Sequence, residues 1–224
     1  MRNLIGKLQS YWLGDASFLS LLVMLIAAVF VLPVIMEHSP HGVLLFNVLL
    51  LSVFFSGIFS TRSVGVMTLS AILFGTHLTL RIIRFGENPY SFYVLENIVG
   101  IANCLVFIYI NLRLLFRDQS VNSYRIVGAV NVYLLLALMG ALTFEVIHAV
   151  AGASLGGDVV LSGKDGDYVH FIYFSLVSLT TVGFGDIYAV STPAKMLATF
   201  LSTLGVLFPA IVIARLVGLA SSRS

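Results

Sequence analysis

Apolar residues along this chain are gathered into long runs that short polar breaks separate. Six of these runs are near or above the roughly 20 residues with which a helix crosses ~30 Å of hydrocarbon. They predict membrane-spanning helices over Phe18–Met36, Val43–Ser60, Val64–Phe85, Tyr90–Phe116, Ile126–Ala151 and Thr192–Leu219. A seventh run, Val169–Leu179, is about half that length, and we expect it to enter the membrane and turn back without crossing it.

The low content of charged residues indicates whether the protein lies in water or in lipid. Of 224 residues, 59% are hydrophobic and only 10% are charged, whereas about 25% of residues in soluble domains are charged. So few charged side chains cannot cover a soluble surface, and the sequence therefore predicts an integral protein of the lipid bilayer. A net charge of +2 gives no field for binding nucleic acid, and the single cysteine, Cys104, excludes an intrachain disulfide.

Basic residues in the short loops predict the orientation of the spans. An even number of spans puts both termini on one side, which would hold eight basic residues against four on the other. We therefore expect cytoplasmic termini, and the short loops without soluble domains are typical of a prokaryotic plasma membrane. Within residues 1–17, Leu4, Leu8 and Trp12 lie near one helical face and predict an interfacial helix, with a cleaved signal peptide as the alternative.

Directly after the short seventh run comes the sequence TTVGFGD, residues 180–186. Its two glycines, Gly183 and Gly185, can take backbone angles that are closed to other residues. Alternating handedness along such a strip can turn successive carbonyl groups toward the same axis. A ring of these carbonyls from several copies of the chain would replace the water shell of a dehydrated cation.

The segment Thr181–Asp186 resembles the selectivity-filter signature of the potassium-channel family, in its less common form with phenylalanine between the glycines. With its flanking helices the resemblance extends over residues 126–219. It implies an all-α membrane protein with six transmembrane helices, a re-entrant pore helix and a selectivity filter, in the tetrameric architecture of voltage-gated channels. The pore domain would be residues 126–219, and residues 18–117 would form a four-helix, sensor-like domain.

The resemblance also implies a role for each residue of the segment. The family binds each potassium ion with backbone carbonyls from four copies, so one segment in one chain implies a homotetramer. Potassium is the permeant ion, and no other cofactor is expected. The implied ion-binding carbonyls are those of Thr181, Val182, Gly183 and Phe184, and the outer mouth is formed by Gly185 and Asp186.

Several residues depart from the family pattern around this segment. Phe184 replaces the usual tyrosine and lacks the hydroxyl group that ties the filter to the pore helix. Tyr173 and Phe174 stand where many relatives have paired tryptophans, and Val177 stands where some bacterial relatives have a glutamate. Asp186 would thereby lose two customary partners. We therefore expect a less rigid filter that collapses in low potassium.

Four further residues are candidates for supporting or opening the pore. Glu145 lies near the outer end of the fifth helix, where relatives place an acid that hydrogen-bonds behind the filter, and Thr180 is a further filter support. In the sixth helix, Gly205 matches the position at which the family bends this helix to open. Pro209, on the adjacent turn, removes an intrahelical hydrogen bond and favours the same gating bend, although small residues also serve packing between membrane helices.

The first four helices lack the charges of a voltage sensor. Voltage sensing needs several charges in one helix, each worth ~2.3 kcal/mol per 100 mV. The fourth helix has basic residues only at its cytoplasmic end, beginning with Arg113, and the third has only Arg81 and Arg84. We therefore expect weak or no voltage dependence, with the two arginines of the third helix paired to Glu87 or Glu96.

Other functions stay open at this point. A softened filter would give a weakly selective cation channel, and a non-conducting subunit that modifies another channel is also compatible with the segment. An intramembrane enzyme or transporter built on Glu96, His77, His148 and Cys104 is a remote alternative, and without a nucleophile–base pair or paired-carboxylate motif we do not expect an enzyme. Because no soluble regulatory domain is predicted, gating would lie in the membrane or with a separate regulatory subunit.

Overall fold

The computed structural model describes residues 17–39, 41–61, 63–86, 92–116, 123–163 and 165–221. A π-helical turn, Ala27–Val31, joins the first two helices, and a 3-10 turn, Asp165–Asp167, leads into the seventh. Two strands, β1 (Leu155–Gly157) and β2 (Ile187–Ala189), complete the described elements. The helices are α1 (Ser17–Ile26), α2 (Leu32–His38), α3 (Gly42–Phe59), α4 (Val64–Gly86), α5 (Tyr93–Leu115), α6 (Ser123–Ala151), α7 (Tyr168–Leu179) and α8 (Thr192–Ser221).

The predicted number of membrane-spanning helices is confirmed within the described residues. Six helices are long and apolar enough to cross a membrane: Ser17–His38, Gly42–Phe59, Val64–Arg84, Tyr93–Leu115, Tyr124–Ala151 and Thr192–Gly218. The short apolar run forms α7, whose 12 residues are too few to span the hydrocarbon. The interfacial helix predicted for residues 1–17 lies outside the described residues, apart from its last residue.

The core of the molecule surrounds α6. Within the single chain, 67% of its spanning window is buried, against 11% of the window of α8. Leu135, Leu138 and Leu142 of α6 have at most 1% of their surface exposed. The helix packs against α1 and α5 on one side of the sequence and against α7 and α8 on the other. It therefore connects the spans that precede it to the short helix and the last span.

The first four spans form a four-helix unit (Ser17–Leu115), in which α1, the π-helical turn and α2 together make one span. This unit is joined to α6 of the same chain by polar contacts as well as by packing. The fully buried side-chain amide of Asn131 donates a hydrogen bond of 2.8 Å to the carbonyl of Phe18. Near the same end of α6, the guanidinium group of Arg125 donates to the carbonyl of Leu115, the last residue of α5, over 3.1 Å. These bonds satisfy polar groups that are costly to bury alone, and they hold the first and fourth spans against the fifth.

A two-stranded antiparallel ladder links the loop after α6 to the chain that leads into α8. Leu155 pairs with Ala189, and Gly157 pairs with Ile187. Gly157 has φ +107°, and a side chain there would overlap the carbonyl of Asp186. The N–H group of Asp158 donates to that same carbonyl over 3.0 Å. The ladder therefore fixes the position of Asp186.

Candidate functional site

The TVGFG segment (Thr181–Gly185) leaves the C-terminal end of α7. The last helical carbonyls hold its first residues, because the N–H of Thr181 donates to Ser178 over 3.1 Å and that of Val182 donates to Val177 over 3.2 Å. The ladder with β1 begins two residues after the segment ends. The segment is therefore anchored at both ends.

The backbone of the segment alternates in handedness. Thr181 has φ +58°, Gly183 has φ +58° and Gly185 has φ +85°, while Val182 and Phe184 between them keep ordinary negative values. Thr181 is the one residue other than glycine with a positive φ in the described part of the chain. Left-handed angles are uncommon outside glycine, and for a β-branched residue they are strained. Such alternation allows successive carbonyls to face the same way.

Nothing in the single chain covers this strip. All residues from 180 to 186 are exposed, with 70% of Phe184 and 54% of Val182 accessible. A Cβ atom built on Gly183 or Gly185 would meet no atom within 4 Å. An exposed apolar strip of this kind is typical of a surface that a partner or ligand contacts.

Tyr173 of α7 reaches back to Asp186, which follows the segment. Its hydroxyl group donates a hydrogen bond of 2.6 Å to the Asp186 carboxylate. This bond favours the ionised acid, so it holds the pKa of Asp186 below its usual range and raises the pKa of the Tyr173 hydroxyl. The ring of Phe184 lies parallel to that of Tyr173, with 6.4 Å between centroids and an interplanar angle of 7°. The customary partners of Asp186 are absent from the sequence, and the Tyr173 hydroxyl group gives this acid a different one.

The other residues proposed to support the segment lie in or beside α7. Phe174 is buried and packs edge-on against Phe144, with 5.0 Å between ring centroids. Val177 is buried, and its backbone carbonyl is the one that binds Val182. The Thr180 hydroxyl group donates to the carbonyl of Leu176 over 2.7 Å and closes the last turn of the helix.

Three hydroxyl groups that we did not single out from the sequence fasten α7 to its neighbours. Ser175, which is fully buried, donates to the carbonyl of Ala137 over 2.7 Å. Tyr133 donates to Leu179 over 3.1 Å, and Ser202 donates to Ser178 over 2.8 Å. Their only sequence signal is a hydroxyl group inside an apolar run, where a polar atom needs a partner.

The two residues proposed as a gating bend lie within one helix. α8 runs from Thr192 to Ser221 with Pro209 inside it. Gly205 packs so closely on the end of α7 that a methyl group there would overlap the carbonyl oxygen of Leu179. Glycine at this position is therefore required for packing, and the gating bend stays a prediction.

Glu145 of α6 is buried. The charges that act on it are Asp165, Arg81, Arg84 and Asp167. These groups belong to the four-helix unit and to the loop before α7. A hydrogen bond from Glu145 behind the segment stays a prediction.

A charge cluster (Arg81, Arg84, Glu96 and Asp165) lies between α4, α5 and the loop before α7. Arg81 contacts the carboxylate of Glu96, and Arg84 Nε lies 2.9 Å from the other oxygen of Glu96. Arg84 also forms a two-pronged ion pair with Asp165, at 2.7 and 2.9 Å. The predicted pairing with Glu96 is confirmed, whereas the contact with Asp165 was not foreseen and Glu87 lies outside the described residues.

The comparison with known families supports one part of this picture. Residues 132–221 match the family model described as an ion channel. The match covers most of α6, the whole of α7 and α8, and the TVGFG segment, which together are less than half of the chain. No curated protein matches the chain in sequence. The matched part supports the function of an ion channel, and the six apolar helices indicate a multi-pass membrane protein.

Proposed function

We propose that four copies of the chain form a potassium-selective channel that conducts passively down the electrochemical gradient. The observation that carries this proposal is the alternation of φ at Thr181, Gly183 and Gly185, at the end of a helix too short to span. Backbone carbonyls that face one axis supply the dense set of oxygen ligands that a dehydrated potassium ion needs. The carbonyls of Thr181, Val182, Gly183 and Phe184 would bind the ion, with Asp186 at the mouth.

The surface of the single chain supports a closed assembly of copies. The strip from 180 to 186 is exposed, and α8 buries little of its apolar surface against its own chain. A rotational axis beside the segment would bring four strips together and cover these faces, with lipid on the outside. We assign the loop end of α6 to the outside of a plasma membrane and both termini to the cytoplasm. A separate regulatory subunit would be an additional partner.

Potassium flux into liposomes that contain the purified protein tests the carbonyl strip. We expect Gly183→Ala to reduce the flux at least tenfold, because alanine at φ +58° costs about 1–2 kcal/mol in each of four copies. Gly75→Ala is the matched control, since a methyl group on this α4 glycine meets no atom within 4 Å. Undiminished flux in Gly183→Ala would contradict the assignment.

Reversal potentials separate the proposed function from its alternatives. In opposing potassium and sodium gradients, a reversal near the potassium equilibrium potential supports a selective channel. A reversal near zero identifies a weakly selective cation channel, which the missing hydroxyl of Phe184 would favour. No current from the wild-type protein would overturn conduction and favour a non-conducting modifier subunit.

A further inference from the structure

The N-terminal end of α7 is held by the four-helix unit as well as by the pore helices. Asp165 begins the 3-10 turn that runs directly into Tyr168, the first residue of α7. Its carboxylate receives both prongs of the Arg84 guanidinium group, 81 residues earlier in the chain. Arg84 is in turn oriented by Glu96 of α5. The cluster therefore connects two spans of the four-helix unit to the start of the short helix.

A second contact fixes the same end of α7 to the first span. Tyr168 is fully buried, and its hydroxyl group donates a hydrogen bond of 3.1 Å to the carbonyl of Ala28. Its ring packs on that of Phe46 in the second span, with 4.3 Å between centroids. The first three spans thus contact the start of α7 directly, through Ala28, Phe46 and Arg84, and the fourth acts through the contact of Glu96 with Arg84.

The π-helical turn explains why the carbonyl of Ala28 is available. The N–H of Leu32, which would bind Ala28 in an α-helix, donates to Ala27 instead. The next residue, Pro33, has no N–H group and cannot serve as the donor of the wider turn. A buried carbonyl without a helical donor needs another partner, and the Tyr168 hydroxyl supplies it.

The cluster is held firmly because it is buried and its opposite charges are in contact. Arg81, Arg84 and Glu96 are almost fully buried, and the side chain of Asp165 is 14% exposed. The two arginines contact two carboxylates, with Glu145 of α6 also within reach of their charge. The paired fork of Arg84 on Asp165 is the geometry in which guanidinium groups bind most firmly. Removing one member leaves an uncompensated buried charge, which disturbs the position of the remaining groups.

We propose that the four-helix unit is a brace for α7, acting through the Arg84–Asp165 ion pair and the Tyr168–Ala28 hydrogen bond. A helix of 12 residues is a rigid rod, and the TVGFG segment leaves its other end. The brace therefore determines how long the segment keeps its conducting form when few potassium ions occupy it. This inference rests on the proposed function and gives Arg84, Asp165 and Tyr168 the role of positioning residues.

The test measures potassium flux by the full chain in liposomes, first in potassium-rich and then in potassium-poor solution. The variants Asp165→Asn and Tyr168→Phe each remove one contact with little change of shape. Asp158→Asn removes an acid from the same loop, where it is exposed, and Tyr109→Phe removes an exposed hydroxyl group. These controls separate the loss of the brace from the loss of negative charge near the mouth.

In potassium-rich solution we expect both brace variants to conduct as the wild type does. In potassium-poor solution their flux should decay about tenfold faster, which corresponds to ~1.4 kcal/mol, while both controls decay at the wild-type rate. The double variant Arg84→Gln with Asp165→Asn should decay more slowly than the product of the two single accelerations, because the two residues share one ion pair while Arg84 also contacts Glu96. If Arg84→Gln does not assemble, the Asp165 and Tyr168 variants carry the test.

Two results would overturn the brace. One is decay at the wild-type rate in both Asp165→Asn and Tyr168→Phe, and the other is equal acceleration in Asp158→Asn. Both results are read against a wild-type protein that conducts in potassium-rich solution, so they are distinct from a failure of the proposed function. That proposal fails separately, if the wild-type protein carries no flux or if Gly183→Ala conducts as well as the wild type.

Discussion

Tyr173 contacts both the TVGFG segment and the acid that follows it. Its hydroxyl group reaches the Asp186 carboxylate at 2.6 Å. The same ring stacks on Phe184, so a single side chain contacts both the segment and the acid that follows it. Because the bond favours the ionised acid, Asp186 has a pKa below its usual range.

Tyr173→Phe should make the channel sensitive to outer acid at higher pH. Without the donor the charged form of Asp186 is less favoured, so its pKa rises toward the ordinary range and protonation begins earlier as pH falls. Currents recorded over a series of outer pH values measure this shift. We also expect roughly threefold faster decay in potassium-poor solution, since one hydrogen bond is lost.

The control for this substitution is Tyr188→Phe, which alters an exposed tyrosine on β2. Identical acid sensitivity in Tyr173→Phe and Tyr188→Phe would contradict a specific role for the bond. A shift in Tyr173→Phe alone supports it.

Among the helices, α7 and α8 meet without room for a side chain. Gly205 of α8 faces the carbonyl of Leu179, and Gly140 of α6 faces the Ser175 hydroxyl and Leu201. Small residues at such positions let helix backbones approach closely in membranes, where van der Waals packing and hydrogen bonds hold helices together. The end of α7, from which the TVGFG segment leaves, is therefore enclosed on two sides.

Gly205→Ala should destabilise the protein by ~1–3 kcal/mol, because the added methyl group overlaps a backbone carbonyl that cannot move without displacing α7. Thermal unfolding of the detergent-solubilised assembly measures the change. Gly218→Ala in the same helix is the matched control: its methyl group meets no atom within 4 Å, and alanine favours helix. Equal melting temperatures for the two variants would show that Gly205 has no packing role.

At the scale of the molecule, the two buried arginines of α4 are already paired with carboxylates. Arg81 and Arg84 contact Glu96, and Arg84 also binds Asp165. A voltage sensor needs charges that move through the field, whereas these charges are held in a cluster beside the loop that leads into α7. We therefore expect the four-helix unit to brace α7 and not to sense voltage.

We accordingly expect open probability to change by less than about tenfold over 100 mV. One full charge moved across the membrane would be worth ~2.3 kcal/mol over 100 mV, or about 50-fold. Single-channel recordings from planar bilayers at a series of voltages provide the measurement. A steeper dependence would mean that charged residues move across the field after all, with Arg81 and Arg84 as the first candidates for neutralisation.

Span number and helix length were predictable because partition into a membrane is local and additive along the chain. About twenty apolar residues are enough to span the hydrocarbon wherever they occur in the chain. The helix α7 was recognisable as a segment that does not span because it has only 12 residues. The alternation at Gly183 and Gly185 was foreseeable for a similar reason, since only glycine takes left-handed angles without strain. The positive φ of Thr181 could not be foreseen, because a β-branched residue disfavours left-handed backbone angles.

The polar contacts that position α7 could not be read from the pattern. Arg84 and Asp165 are 81 residues apart, and Tyr168 and Ala28 are 140 apart. Which polar groups meet depends on the rotation and depth of each helix, and an apolar span such as α6 carries no one-sided stripe that specifies either. Close packing of the assembled helices sets both, so residues such as Arg84 and Tyr168 acquire their roles only in the folded molecule.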